Sequence, residues 1–124
     1  MNNPPLILVV DDNETNRDIL ITRLEKHGYQ LLQAADGEEA LASVAQHNPD
    51  LILLDVEMPK LDGYEATRRI KADPDLKAIP IIVVTSYALS GDEAKARAAG
   101  CDAYVTKPYS PRQLLAKIRE FLPA

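Results

Sequence analysis

Residues 6–12 read LILVVDD and residues 51–55 read LILLD, two unbroken apolar runs that stop on carboxylates: Asp11 and Asp12 in the first, Asp55 in the second. An unbroken run leaves no polar face for water, so such a strand is buried on both sides, as in a parallel sheet covered by helices on each face. The same reading extends to IIVV, which runs into Thr85, and to AYVTKP, which carries Tyr104 and reaches Lys107. Strands are expected from Leu6 to Val10, Gln30 to Ala34, Leu51 to Leu54, Pro80 to Val84 and Ala103 to Val105. If these strands are parallel neighbours, their ends bring the carboxylates and the ammonium to one rim. Ligands of open α/β sheets bind at that carboxyl edge.

Between the strands lie segments of helical apolar spacing, with capping chemistry at their starts. Asp36 with Glu39, Asp62 with Glu65, Ser90 with Glu93 and Ser110 with Gln113 have the three-residue separation of a capping box, and Pro111 takes the favoured first helical position. Asn13 is the expected cap of the first helix, with Ile19, Leu20 and Leu24 as its inner stripe. Gly28 and Gly100 are read as left-handed terminators of the first and fourth helices. Five βα units with short connections and right-handed crossovers wind into a doubly wound α/β sheet with helices on both faces.

Composition narrows the function. A length of 124 residues fits one domain, and 46% apolar residues with five Tyr and one Phe describe a core of aliphatic side chains. A net charge of -5 offers no basic face to a phosphate backbone, which argues against direct nucleic-acid binding. The apolar runs are far shorter than the roughly 20 residues a membrane helix requires. With one cysteine, Cys101, and an N-terminus of MNNPP lacking a basic leader, the expected compartment is the cytoplasm. His27 and His47 have no Cys or His at metal-ligand spacing and are read as groups near helix ends. Cys101, just after Gly100, is read as a small space-filling residue.

Any one of these acids, taken alone, reads as a turn former or helix cap. Taken together they point to a cation, because clustered carboxylates repel one another and a hard divalent ion with oxygen ligands and retained waters, such as Mg²⁺, neutralises them. With a cation and an ammonium offsetting charge on a transferring phosphoryl group, one carboxylate can act as a nucleophile toward phosphorus.

The acidic pair Asp11-Asp12, the segment LLDVEMPKLDG carrying Asp55, VVTSYA carrying Thr85 and AYVTKP carrying Tyr104, Lys107 and Pro108 follow one another in a telling order. Together they resemble the receiver domain of bacterial two-component response regulators across essentially the whole chain, 1–124, as a single receiver of the stand-alone, CheY-like type without an output domain. The resemblance implies a flavodoxin-like fold with sheet order 2-1-3-4-5. It implies that Asp55 is the phosphoacceptor, and that Asp11, Asp12, Asp55 and the backbone carbonyl of Glu57 hold Mg²⁺. Lys107 would pair with the phosphoryl oxygens, and Thr85 would donate its hydroxyl to them. Tyr104 would be the switching aromatic, and the Lys107-Pro108 bond would be cis.

The partners so implied are a histidine kinase or histidine phosphotransfer protein, docking near Asn16, Ile19, Leu20 and the Pro108-Tyr109 loop, and a downstream protein target. The target would be met by the surface of the fourth helix, fifth strand and fifth helix, which phosphorylation alters; Tyr87 and Leu89 lie on or beside it, and the state is a monomer or a phosphorylation-dependent dimer. Such a protein is not an enzyme toward other substrates and catalyses only its own phosphorylation and dephosphorylation. Three alternatives stay open: a receiver belonging to a hybrid kinase or multidomain regulator, a pseudo-receiver that binds partners without being phosphorylated, and an Mg²⁺-dependent aspartyl phosphatase of the haloacid dehalogenase type. The last places a second Asp two residues after the nucleophile, where this chain has Glu57.

Glu57 and Tyr87 depart from the commonest receiver pattern; Tyr87, bulky and two residues after Thr85, would narrow access to the phosphoryl group or limit the travel of Tyr104. A carboxylate orients water, so Glu57 is expected to tune spontaneous loss of the phosphoryl group. Timing that loss in Glu57→Ala and Glu57→Asn should reveal a changed lifetime; lifetimes equal to wild type would remove the assignment.

Overall fold

The computed structural model describes residues 4–55, 63–85, 92–107 and 110–122. Strands and helices alternate within them: β1 Leu6–Val10, α1 Glu14–Glu25, β2 Gln30–Ala34, α2 Gly37–His47, β3 Leu51–Asp55, α3 Gly63–Ala72, β4 Ile81–Thr85, α4 Asp92–Ala99, β5 Ala103–Thr106 and α5 Pro111–Phe121. The strands form one parallel sheet in the order β2-β1-β3-β4-β5, the doubly wound order expected. β3, β4 and β5 each run one residue further than expected, so Asp55 and Thr85 are themselves terminal strand residues, and β4 begins at Ile81 rather than Pro80. Proline has no N–H to give to a ladder; here the Pro80 carbonyl instead accepts from the Ile52 N–H at 3.0 Å.

Alternation along each strand divides the apolar side chains between two layers. Leu8, Val10, Ile52, Leu54, Ile81 and Val83 face α2, α3 and α4, where Ala40, Val44, Ala66, Ile70 and Ala96 close over them. Ile7, Val9, Leu51, Leu53, Ile82 and Val105 face α1 and α5, against Leu24, Leu114, Ile118 and Leu122. β3 and β4 are buried along their entire lengths, as the unbroken runs require.

The caps follow the sequence with one difference. Ser110 and Gln113 form a complete capping box, and the Asn13 side chain accepts from the Asn16 N–H. Asp36 accepts from the Glu39 N–H at 2.9 Å, but the Glu39 carboxylate accepts from the Ala35 N–H, one residue before the cap, rather than from Asp36. Gly28 and Gly100 both lie at positive φ, as expected of terminators. The expected caps Asp62 and Ser90 lie outside the described residues.

Ile19 corrects the reading of α1. Leu20 and Ile21 are half-buried against the α1–α5 layer and Leu24 is buried, whereas Ile19 is 50% exposed. At about 100° per residue, Leu20, Ile21 and Leu24 share an arc of roughly 100°, and Ile19 lies well outside it.

The edge of the sheet remote from the strand ends is tied by side chains. The Leu6 N–H donates to Asp50 Oδ2 at 2.8 Å while the Asp50 N–H donates to the Leu6 carbonyl at 2.7 Å, joining the starts of β1 and β3. Lys71, at the end of α3, donates to the carbonyls of Lys77 and Ile79 at 3.0 and 2.8 Å and to Asp102 Oδ2 at 2.7 Å. Asp102 Oδ2 also accepts from the Ile81 N–H at 2.9 Å. One ammonium thus fastens α3, the approach to β4 and the turn into β5, and all three of its donors are used. Lys71→Met strips these acceptors of their charged donor and should lower unfolding free energy by about 1–3 kcal/mol; equal denaturant midpoints for variant and wild type would show that the staple contributes nothing.

Candidate functional site

Sheet register assembles the site. Val10 is level with Leu54, Asp55 with Val84 and Thr85 with Thr106, so the residues that finish β1, β3, β4 and β5 occupy one rim. Asp11 and Asp12 follow β1 and Lys107 follows β5. Carboxylate oxygens of Asp11, Asp12 and Asp55 all lie within 4.8 Å of one another. Lys107 Nζ donates to Asp55 Oδ2 at 3.0 Å. The side chain of Asp55 is 5% exposed and that of Lys107 26%, so the pair is shielded from solvent without being sealed from it.

The three acids sit in different surroundings: Asp55 is buried, Asp11 half-buried and Asp12 exposed. Burial pushes the Asp11 carboxyl above the ordinary carboxylate range, and the neighbouring charges of Asp55 and Asp12 push it the same way. A hydrogen bond from the Asn13 N–H and the charge of Lys107 oppose the rise. One ammonium among three carboxylates leaves an excess of negative charge.

That excess, and the all-oxygen donor set, fit Mg²⁺. The ion takes oxygen ligands at about 2.0–2.1 Å and keeps several waters, so three carboxylates whose oxygens lie within 4.8 Å of one another would hold it together with bound water. Asp11, Asp12 and Asp55 are the described residues able to hold it. Glu57, whose carbonyl is the fourth expected ligand, lies outside the described residues, as do Pro108 with its expected cis bond and Tyr87, Leu89 and Tyr109, which were expected on or beside the signalling surface.

Thr85 is fully buried. Its carbonyl accepts from the Lys107 N–H at 2.7 Å, which links the ends of β4 and β5. Alternation places Thr85 and Tyr104 on the same side of the sheet, and Tyr104 packs half-buried against the layer under α2, α3 and α4. The two expected switch residues therefore share one face on adjacent strands.

On the opposite side, α1 and α5 flank a groove of about 390 Å³ whose walls include Asn16, Ile19, Leu20, Leu114 and Leu115 and which ends at Asp11 and Lys107. Ile19, displaced from the inner stripe, belongs to this groove, beside the other two α1 residues expected to dock a partner. Burial pushes the Cys101 thiol up, away from the reactive thiolate, as its space-filling reading requires. The sequence reading passed over Arg17, whose Nη1 donates to the Asp11 carbonyl at 2.8 Å; its only sequence signal is its place on the helix that follows the acidic pair.

Since the Asp11 carboxyl is harder to ionise in the folded than in the unfolded chain, its contribution favours the fold below the ordinary carboxylate range and is lost as pH rises through the raised value. In the absence of divalent cations, Asp11→Asn should therefore be more stable than wild type near neutral pH, with the gain vanishing in acid. Urea unfolding across pH reads this directly, and a variant less stable than wild type at pH 7 would contradict it.

The chain that carries this rim has close counterparts. The family model for the response regulator receiver domain matches residues 7–119. The polar-differentiation response regulator DivK of Brucella anthropi is 39% identical over 119 residues, which cover 96% of this chain and 97% of DivK. Among solved structures, a putative response regulator from Chloroflexus aurantiacus superposes with a TM-score of 0.91 at 32% identity, covering 97% of this chain and 98% of the other. The receiver domain of the sensor histidine kinase PA1611 from Pseudomonas aeruginosa, which has a magnesium ion coordinated in its active-site cleft, matches at a TM-score of 0.89 and 35% identity over 97% of this chain and 98% of that one. With the β2-β1-β3-β4-β5 sheet and the acidic rim in place, these likenesses establish that the chain belongs to the response regulator receiver domain family of two-component signalling.

Proposed function

We propose that the chain is a phosphorylation-dependent switch whose own Asp55 accepts a phosphoryl group from a phosphohistidine on a histidine kinase or histidine phosphotransfer protein. The observation that carries this reading is the Asp55–Lys107 contact of 3.0 Å, placed beside two further carboxylates at the open end of the sheet. An Asp55 carboxylate oxygen attacks phosphorus, the P–N bond breaks, and the imidazole nitrogen keeps the electron pair. Mg²⁺, when held by Asp11, Asp12 and Asp55, supplies Lewis-acid neutralisation of the phosphoryl oxygens. Lys107 meets the charge that arrives on Asp55, exchanging its carboxylate partner for phosphoryl oxygens.

The new group brings roughly -1.5 to -2 charge at neutral pH. Thr85, at the end of the adjacent strand, donates its hydroxyl to the phosphoryl group, and Tyr104 moves inward to occupy the space Thr85 releases. A local charge event then biases the surface of α4, β5 and α5 that a downstream protein reads. The protein acts on no other substrate: it catalyses its own modification and the later attack of water that reverses it. The cytoplasm is the proposed compartment. The described residues contain no helix long and apolar enough to cross a membrane.

The α1–α5 groove, which reaches from Ile19 to Asp11 and Lys107, is the proposed seat of the phosphodonor protein. The likeness to the receiver of a sensor histidine kinase supports a second reading, in which the same chemistry belongs to one part of a longer chain. The coding sequence on either side decides between them.

Incubation with acetyl phosphate and Mg²⁺ followed by intact-mass measurement should give wild type a phosphate-sized gain that Asp55→Asn lacks; a gain in both, or in neither, would overturn the assignment. Ile19→Asp should label normally from acetyl phosphate yet accept phosphate from a histidine-phosphorylated protein about tenfold more slowly, as expected for a charge buried in an apolar contact. An unchanged transfer rate would remove the groove from the docking surface.

A further inference from the structure

We propose that Arg17 is a positioning residue for the cation site, acting by fixing the plane of the Asp11–Asp12 peptide. The inference rests on the reading that Asp11, Asp12 and Asp55 hold Mg²⁺.

Asp11 lies beyond the end of β1, where the ladder no longer holds its carbonyl. Its N–H still donates to the Ala34 carbonyl at 3.1 Å, and its Oδ1 accepts from the Asn13 N–H at 2.9 Å. The carbonyl is taken by Arg17, whose Nη1 donates at 2.8 Å from the first turns of α1. Arg17 is itself steadied from the edge strand, because its Nε donates to Gln33 Oε1 at 3.2 Å. This carbonyl and the Asp12 N–H belong to one planar peptide unit. A donor that fixes the carbonyl direction therefore fixes how the Asp12 backbone leaves Asp11, and with it how the two carboxylates stand toward Asp55. A guanidinium does this more firmly than a neutral donor, since charge-assisted hydrogen bonds are about twice as strong.

Arg17 has two effects of opposite sign on a bound cation. Its charge repels a divalent ion, so charge alone would make its removal strengthen binding. Its grip on the peptide favours binding, so loss of position would make removal weaken it. The Arg17 charge stands on the carbonyl side of the turn and is partly exposed, where solvent screens it, whereas the peptide plane carries two of the three carboxylates directly. Position therefore outweighs charge.

The test is a titration of Mg²⁺ alone into ¹⁵N-labelled protein at constant ionic strength, read from amide shifts, with urea stability of the metal-free protein measured alongside. Arg17→Gln should raise the Mg²⁺ Kd about tenfold, the order expected for loss of one charge-assisted hydrogen bond. Arg17→Lys should recover part of that loss. Gln33→Ala leaves every charge in place and loosens Arg17, so it should weaken Mg²⁺ binding two- to threefold; this exposed substitution also serves if Arg17→Gln folds poorly. An unchanged or lower Kd in Arg17→Gln, whatever its stability, overturns the role of Arg17 while leaving the metal site standing. Failure of wild type to show saturable, Asp55-dependent shifts overturns both.

Discussion

Holding Asp11, Asp12 and Asp55 within 4.8 Å of one another is the constraint on which the rest of this structure turns, because the three charges repel and the sheet register brings them together against that repulsion. β1 and β3 are adjacent, with Val10 level with Leu54, and both are packed on two faces. A slip of one residue would exchange every inward side chain for its neighbour on the other face. The continuous LILVV and LILLD runs tolerate no polar substitute on either side, so the register that packs the core also fixes the acids. The hydrophobic layers therefore oppose the repulsion. Lys107 relieves part of it through Asp55, while burial first, and then the charges of Asp55 and Asp12, push the Asp11 carboxyl up. The site is poised for a cation because the fold does not allow its charges to relax apart.

How much of this was legible in the sequence depends on the range of each interaction. β1 and β2 fall at their expected boundaries: LILVV is an unbroken apolar run between Pro5 and Asp11, and QLLQA is a short segment set between the Gly28 terminator and the Asp36 cap, so both signals are local. Ser110 and Gln113 were legible for the same reason: the capping box closes within four residues. Ile19 was misplaced because four apolar side chains crowd one stretch of α1, and only the position of α5 decides which of them face inward. The same dependence on distant partners hid Lys71, which meets Asp102 across 31 residues, and Arg17 of α1, whose Gln33 partner lies on β2. Asp55 and Lys107 were both expected at the strand-end rim, yet their direct contact spans 52 residues and required the whole parallel topology.

The two edges of the sheet are built to different ends. At the edge where strands begin, opposite charges and backbone donors satisfy one another: Asp50 with Leu6, and Lys71 with Asp102 and two carbonyls. At the edge where strands end, carboxylates outnumber the ammonium and face one another. A parallel sheet sets these edges apart by a strand length, so the stapled end can stabilise the molecule without compensating the charged one. Strain at a functional rim of this kind persists where surrounding structure over-determines it, and two fully buried central strands flanked by paired neighbours supply that support here.

The same rim joins the charge to the proposed switch through the backbone. The Lys107 N–H donates to the Thr85 carbonyl at 2.7 Å, so the residue whose ammonium holds Asp55 is hydrogen-bonded through its main chain to the residue whose hydroxyl is proposed to follow the phosphoryl group. Thr85 has no exposed surface on which to move freely, and Tyr104 stands on its side of the sheet, one strand away. On the proposed reading, a change in what Lys107 contacts and a change in where Thr85 points are mechanically coupled, because one peptide hydrogen bond belongs to both. Packed interiors are arranged in discrete alternatives rather than deformed continuously, so a shift at Thr85 is accommodated by a rotamer change in a neighbour on the same face. Tyr104, half-buried and with a polar tip, is the neighbour able to exchange solvent for core at the smallest cost.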